Sequence, residues 1–432
     1  RNFADDHGVS RFTAVEAYDR LVAMGYLRSR RGAGFFVTPS DGKAPQPPTD
    51  APVQPKRNEE IVWLIRRLLD AQDGTIMAGG PWLPHSWLDE ANIRRTLRGM
   101  ANNQGDHLID YGNAFGYLPM RKHIAETILP EVGVAAHERQ VLLTCGASQA
   151  LDIISRNLLS PGDTVLVDDP GYYNLFGNLR LQGVRLVGVP RLADGPDIEA
   201  LEALAAEHAP RLYFTQSVLQ NPTGTSMSHH KAFRVLQAAG RYDFRVVEDD
   251  IFSDLQPETV PRLAALDQLD RVIYIRSFSK TLSGSLRVGF VACNQRLADD
   301  LGDTKMVTSI TTSLFTEKLL YRLLTEGYYR KYLSRLLDRL HDARHNVITG
   351  FERIGIETFG DATNGMFVWG RFNDIDDSLP LAEHALEGGL MLAPGTVFRP
   401  NLQPSPWMRF NVAVCDDPAV MKRLEKIGME ST

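Results

Sequence analysis

At 432 residues the chain is too long for one ordinary domain and long enough to bury sizeable cores. Its 43% hydrophobic and 23% charged residues are those of a soluble globular protein, and 47 Lys and Arg against 53 Asp and Glu give a net charge of −6, so any nucleic-acid surface must be local rather than set by bulk charge. Cys145, Cys293 and Cys415 lie far apart, which argues against a disulfide framework or zinc ribbon and for a reducing cytoplasm; no apolar run reaches the roughly 20 residues of a membrane span, and the N-terminus is no signal peptide.

Residues 1–38 read as one small unit. Phe3 to Asp6, then Gly8-Val9-Ser10, predicts a short helix, a glycine turn and an N-capping serine. Val15, Tyr18, Leu21 and Val22 recur at helical spacing, and Gly25 closes that helix. Tyr26 to Val37, with glycines at 32 and 34, predicts a β-hairpin. Helix, turn, helix and basic hairpin is the order of a winged helix-turn-helix DNA-binding domain. Ser10, Arg11, Thr13 and Ala14 would open the base-contacting helix, and Arg28, Arg30 and Arg31 suit phosphate or minor-groove contact. A solvated helix and hairpin with incidental arginines is the plainer alternative.

Residues 39–56 hold Pro39, Pro45, Pro47, Pro48, Pro52 and Pro55 and read as a linker. The remainder, 57–432, begins with an amphipathic helix carrying Ile61, Trp63, Leu64, Ile65, Leu68 and Leu69. Ile76 to Trp87, rich in Gly, Pro and Trp, reads as irregular. From about 88 to 303, helical patterns alternate with apolar strands that start at Val141, Thr164, Arg185, Arg211, Arg245, Val272 and Val288. This predicts an α/β fold with a mostly parallel, helix-covered sheet. From about 304 to 432, long helical stretches and strands at Met366 and Trp407 predict a small C-terminal α+β part.

The chemistry lies in the loops after these strands, where open α/β sheets bind ligands. Thr144-Cys145-Gly146-Ala147-Ser148 is a glycine turn opening a helix, an anion site. Pro170-Gly171 sets a bend from which Tyr172 projects a ring able to stack on a flat cofactor. Asn221-Pro222-Thr223-Gly224 is a turn whose amide can donate to a phenolate oxygen. Glu248-Asp249-Asp250 is a solvated edge, a partner for a protonated pyridine nitrogen or, third, a metal edge; no His or Cys cluster accompanies it. Ser277-Phe278-Ser279-Lys280 follows a buried strand, where a desolvated lysine can form a Schiff base beside a phosphate held by Ser277, Ser279 and Arg287. An ordinary surface lysine is the competing reading. A serine–lysine nucleophile is disfavoured, because neither Ser-Asp-Asn nor Lys-Thr-Gly occurs downstream.

Two resemblances sharpen this. Val9 to Val37 closely resembles the DNA-binding head of GntR-type bacterial regulators, without that family's first helix; a start at Arg1 rather than Met fits a truncated head. From about Ile61 onward, the order of the loops, with Lys280 after the carboxylates and Arg287 seven positions on, strongly resembles fold-type I aminotransferases, which depend on pyridoxal 5′-phosphate (PLP). That resemblance implies that Gly146, Ala147, Ser148, Ser277 and Arg287 hold phosphate. It also implies that Tyr172 stacks, Asn221 meets O3′, Asp249 meets the pyridine nitrogen and Lys280 forms the aldimine. Arg409 matches the arginine for a substrate α-carboxylate, and Tyr111 a tyrosine that reaches the neighbouring subunit's phosphate, which implies a homodimer. Phe252 departs from the pattern, because many aminotransferases place there a tyrosine that touches O3′. Its absence should raise the aldimine pKa, which suits a receptor better than a fast enzyme. The combination resembles the MocR/GabR-type regulators, which implies a cytoplasmic transcriptional regulator that binds an operator and senses an amino compound or PLP by exchange at Lys280. The rival is a working aminotransferase with a 2-oxo acid acceptor; a PLP-binding scaffold with neither activity is the third.

Overall fold

The computed structural model describes residues 2–30, 32–38, 62, 65–66, 74–103, 109–256, 260–360, 363–373 and 375–430. Arg31, the expected linker 39–56, and Ile61, Trp63, Leu64, Leu68 and Leu69 of the expected amphipathic helix lie outside the described residues. The chain divides into two compact units, Arg1–Lys56 and Arg57–Thr432.

In the first unit a short helix, Asn2–Asp6, precedes a longer one, Arg11–Ala23. Ser10 caps the second: its Oγ accepts a hydrogen bond from Thr13 N at 3.0 Å, satisfying one of the free first-turn amides. Gly25, at φ +79°, turns the chain out of the helix. Strands β1 (Leu27–Arg30) and β2 (Gly34–Val37) then pair antiparallel with Leu27 opposite Val37. Tyr18 stacks on Phe35 at 4.7 Å and so holds the hairpin to the helix.

The second unit is built on an eight-stranded sheet. Its strands are β3 (Val141–Thr144), β4 (Thr164–Asp169), β5 (Arg185–Leu192), β6 (Gly195–Pro196), β7 (Leu212–Thr215), β8 (Arg245–Asp249), β9 (Val272–Ser277) and β10 (Gly289–Ala292), in the order β3-β10-β9-β8-β7-β4-β5-β6. The near-continuous apolar runs follow from burial on both faces. Leu166, Tyr213, Val246 and Tyr274 join the core on one side, and Val167, Phe214, Val247 and Ile275 the core on the other. Strands β9, β8, β7, β4 and β5 run parallel, as the alternating pattern predicts. Strand β10 is antiparallel to both neighbours, because residues 278–288 are too few for a helical crossover. The connection that forces this reversal is the one carrying Lys280.

A 26-residue helix, Tyr328–Arg353, leads into a four-stranded antiparallel sheet. Its strands are β11 (Ile356–Thr358), β12 (Phe367–Phe372), β13 (Ala393–Pro394) and β14 (Trp407–Asn411), ordered β11-β12-β14-β13. With the helices Leu379–Glu387 and Pro418–Glu430 they enclose a separate core that includes Leu340, Val368, Leu381, Phe410 and Leu424. These elements form the small C-terminal α+β part; the helix before them, Leu314–Thr325, packs instead into the core of the large sheet through Leu319, Leu320 and Leu323. Among the described residues no helix is long and apolar enough to cross a membrane.

Candidate cofactor site at the strand ends

Lys280 lies three residues past the end of β9, half-buried, with its Nζ donating to Pro81 O at 2.9 Å and 5.9 Å from the centre of the Phe252 ring. Burial, and then the neighbouring Arg409 guanidinium, lower its pKa to about 8. The Pro81 segment is irregular, as expected, and fastened by its backbone. Asn411 Nδ2 donates to Gly80 O (3.0 Å) and Trp82 O (2.7 Å), and Asn411 N donates to Ala78 O (2.7 Å). Only glycine fits at position 79, where a Cβ would stand 2.3 Å from Ala393 N. On the far side, Tyr332 Oη donates to Thr281 O, and Tyr329 Oη bonds Thr281 Oγ1, both at 2.7 Å. Two tyrosines of the long helix thus grip the residue next to Lys280.

The glycine turn after β3 opens the helix Gly146–Leu158, whose first turn has no side-chain cap. Its leading amides, those of Gly146, Ala147 and Ser148, therefore face outward with the helix dipole behind them. Arg287, at φ +51° and exposed, lies directly against this turn: its Nη2 donates to Cys145 O at 3.2 Å. A Cβ on Gly146 would come within 2.8 Å of that same nitrogen. Ser277 is brought to the turn because β10 pairs Gly289 with both Thr144 and Ser277. Ser277 Oγ lies 3.1 Å from Ser279 Oγ. The turn after β3 and the connection between β9 and β10 thus bring Gly146, Ser277 and Arg287 to one place.

Beside it, Tyr172, Leu151, Phe214, Gln216 and Asp249 line a cleft. Asp249 is buried; burial, and then the adjacent Asp250, push its pKa up to about 7. Its Oδ2 accepts from Gln216 Nε2 at 3.1 Å, whereas its Oδ1 is buried without a partner among the described residues. The flanking acids face elsewhere. Glu248 accepts from the backbone of Leu263 (2.8 Å) and Ala264 (2.7 Å), and Asp250 pairs with Arg262 at 3.1 Å. Of three consecutive carboxylates, only the middle one reaches the cleft. Among the described residues no group of His, Cys, Asp and Glu is placed to hold a metal ion. Asn221 Oδ1 accepts from Arg409 Nη1 at 2.8 Å, which leaves Nδ2 as its donor end. Arg409 is fully buried; its Nε and Nη2 donate to Gly79 O at 3.3 and 2.7 Å, and it also hydrogen-bonds the Tyr173 side chain. It sits among the rings of Phe367, Phe398 and Tyr173, without a carboxylate among the partners it hydrogen-bonds.

Residues 83–427 match the family described as aminotransferase class I and II. The chain belongs to that family. Its cofactor is PLP. One relative is the probable rhizopine catabolism regulatory protein MocR of Rhizobium meliloti, 32% identical over 304 residues, 69% of this chain and 61% of the relative. This chain thus spans less than two thirds of that regulator. Another is aromatic-amino-acid aminotransferase 1 of Thermococcus litoralis, 24% identical over 84% of this chain and 89% of the enzyme. The crystal structure of Pyrococcus horikoshii kynurenine aminotransferase in complex with PMP shares the fold at a TM-score of 0.79 and 25% identity, covering 88% of this chain and 96% of that one.

The residues present fit the cofactor. The unpartnered Asp249 Oδ1 is suited to a cation, and the Gly146 turn against Arg287 is a cradle that a side chain would fill. Lys280, Gly146, Ala147, Ser148, Tyr172, Asn221, Asp249, Ser277, Arg287 and Arg409 all belong to this one region of the second unit. Tyr111 stands apart at 85% exposure. Phe252 is buried edge-on against Phe367, with ring centres 5.3 Å apart. In the first unit Ser10, Arg11, Thr13, Arg28 and Arg30 are exposed, although the Ser10 hydroxyl is committed to its cap. Sequence reading missed Gln216, Tyr329 and Tyr332; each acts across a long sequence separation, and only Gln216 carries a signal, five positions ahead of Asn221.

Proposed function

We propose that the chain is a PLP-dependent transcriptional regulator, cytoplasmic and homodimeric, that binds operator DNA through its first unit and senses an amino compound at Lys280. The observation that carries this is the presence in one chain of an aminotransferase-family body and a separate helix–helix–hairpin unit with exposed arginines. Similarity to MocR supports it. Ser10, Arg11, Thr13, Arg28, Arg30 and Arg31 are the residues assigned to DNA.

When bound, PLP supplies an aldehyde for an amine and a pyridine ring that draws electrons from it. Gly146, Ala147, Ser148, Ser277 and Arg287 would hold the phosphate; Tyr172 would cover the ring, Asn221 would donate to its oxygen and Asp249 would pair with its nitrogen. Lys280 Nζ, held largely desolvated, gives up its proton more readily than an ordinary lysine and so presents a nucleophilic amine near neutrality. Arg409 offers a dry guanidinium for the carboxylate of an incoming amino acid; its present partners, Gly79 O, Asn221 Oδ1 and the Tyr173 side chain, are all neutral acceptors, weaker than a charged one. The Pro81 segment and the aromatic rings around Arg409 exclude water from that contact.

A working aminotransferase is the second reading, favoured by the complete set of groups and by the similarity to the Thermococcus enzyme. One experiment separates the two: the PLP-loaded protein is titrated with a panel of amino acids while absorption and 2-oxo acid release are followed, with Lys280→Ala alongside. A lasting spectral change without 2-oxo acid release, together with altered operator binding, supports the receptor. Sustained release makes the enzyme reading primary. Absence of bound PLP in the unmutated protein would sink both.

A further inference from the structure

Gln216 is the first residue past β7 and is 4% exposed. Its backbone is fixed from behind: Gln216 N donates to Asp168 Oδ2 at 3.3 Å. Asp168 is in turn held by Arg191 Nη1 at 3.0 Å and Tyr213 Oη at 2.6 Å. Its side chain makes two bonds of opposite sense: Nε2 donates to Asp249 Oδ2 (3.1 Å), while Oε1 accepts from Asn221 N (2.8 Å).

We propose that Gln216 is a positioning residue of the cofactor site, a clip that fixes the Asp249 carboxylate and the Asn221 turn relative to each other. The inference rests on the PLP reading of the site. Asp249 Oδ1 has no partner among the described residues, and the carboxylate is held by two bonds, one from the Ile251 backbone and one from the Gln216 side chain, the latter tying it to the Asn221 turn. Asn221 carries Arg409 on its side chain, so the same clip also bears on the guanidinium assigned to a ligand carboxylate.

The chemistry restricts what can replace it. A primary amide presents a donor and an acceptor on one rigid plane. Glutamate keeps the acceptor toward Asn221 N but meets Asp249 with a like charge. Leucine fills the volume and offers neither bond. Asparagine has both groups but falls short by one methylene, roughly 1.5 Å. The charged and titratable groups around Asp249 are Asp250 beside it, Asp168, Tyr172, Lys280 and Arg409.

The test is the equilibrium affinity of the full-length, PLP-stripped protein for PLP between pH 5.5 and 8.5, for the unmutated chain, Gln216→Leu and Gln216→Glu. Affinity for inorganic phosphate, read by competition with PLP, serves as a second measurement. Loss of a hydrogen bond to a charged group should weaken PLP about 10- to 100-fold in Gln216→Leu. Phosphate affinity should stay put, because the Gly146 turn is untouched. Gln216→Glu, nearly isosteric, should bind best at low pH, where its carboxyl is protonated and can donate to Asp249, and lose affinity as pH rises. Unchanged PLP affinity and pH profile in both variants would overturn the inference alone. No PLP uptake by the unmutated chain would overturn the cofactor reading and this inference with it.

Discussion

A lysine whose pKa is about 8 behaves unlike a surface lysine at neutral pH. At pH 7 about a tenth of it is uncharged, against roughly 0.04% of an ordinary lysine. In the PLP-free protein, acetylation of Lys280, followed by mass spectrometry, should accelerate about tenfold per pH unit and level off just above pH 8. A rate still climbing at pH 10 would show that burial does not depress this amine. Phe252 offers a second test at this scale. Its ring is 2% exposed and packed on Phe367, 5.9 Å from Lys280 Nζ. Phe252→Tyr adds a donor toward the cofactor's oxygen and should lower the pH midpoint of the absorption change of the PLP-loaded protein. An unmoved midpoint would mean that the para position does not face the cofactor.

At the scale of elements, the sheet is held together at its functional edge by a buried ion pair. Arg191 and Asp168 join β5 to β4, and Asp168 also accepts from Tyr213 and Thr215 of β7. Arg191 is buried, and its Nε and Nη2 have no partners among the described residues, so Asp168 is its counter-charge. Asp168→Ala should therefore cost about 3–5 kcal/mol, read as a lower denaturant midpoint of the PLP-free protein. Asp168→Asn, which keeps the acceptor, should cost less. Gly116 is a further fixed point: at φ +99°, a Cβ there would stand 2.5 Å from Leu143 Cβ. Gly116→Ala should destabilise by about 1–3 kcal/mol through forced displacement of β3.

Sequence reading reached these elements unevenly. The parallel strands were legible because burial on both faces writes continuous apolar runs, and the loop residues because chemistry concentrates at strand ends. The reversal of β10 was missed: its own residues look alike in either direction, and the signal lay in the shortness of the 278–288 connection, which leaves no room for a crossover helix. Tyr329 and Tyr332 were missed as well, about 50 positions beyond the Thr281 they hold. A tyrosine hydroxyl on an amphipathic helix gives no sign of where it will land.

For the whole molecule, the exposure of Tyr111 (85%) and Ile109 (94%) bears on the proposed shared site. A tyrosine that serves the other subunit's phosphate should be separable from Lys280 by subunit mixing. Lys280→Ala and Tyr111→Phe proteins, each weak in PLP binding alone, should regain one full-affinity site per mixed dimer. Lack of recovery in verified mixed dimers would remove Tyr111 from the neighbour's site. The same preparations, examined by sedimentation at several concentrations, report whether the chain pairs at all.

The bond between Asn221 and Arg409 has one more consequence. A single carboxamide touches the guanidinium on one side and presents its remaining donor end on the other. The two assigned ligands, cofactor ring and effector carboxylate, would then share a hinge. Occupying one side changes what the other is worth, and linkage makes the effect reciprocal: the factor by which PLP alters the effector's affinity equals the factor by which the effector alters PLP's. A cell's supply of the cofactor would thereby set the amino-acid concentration at which such a protein responds.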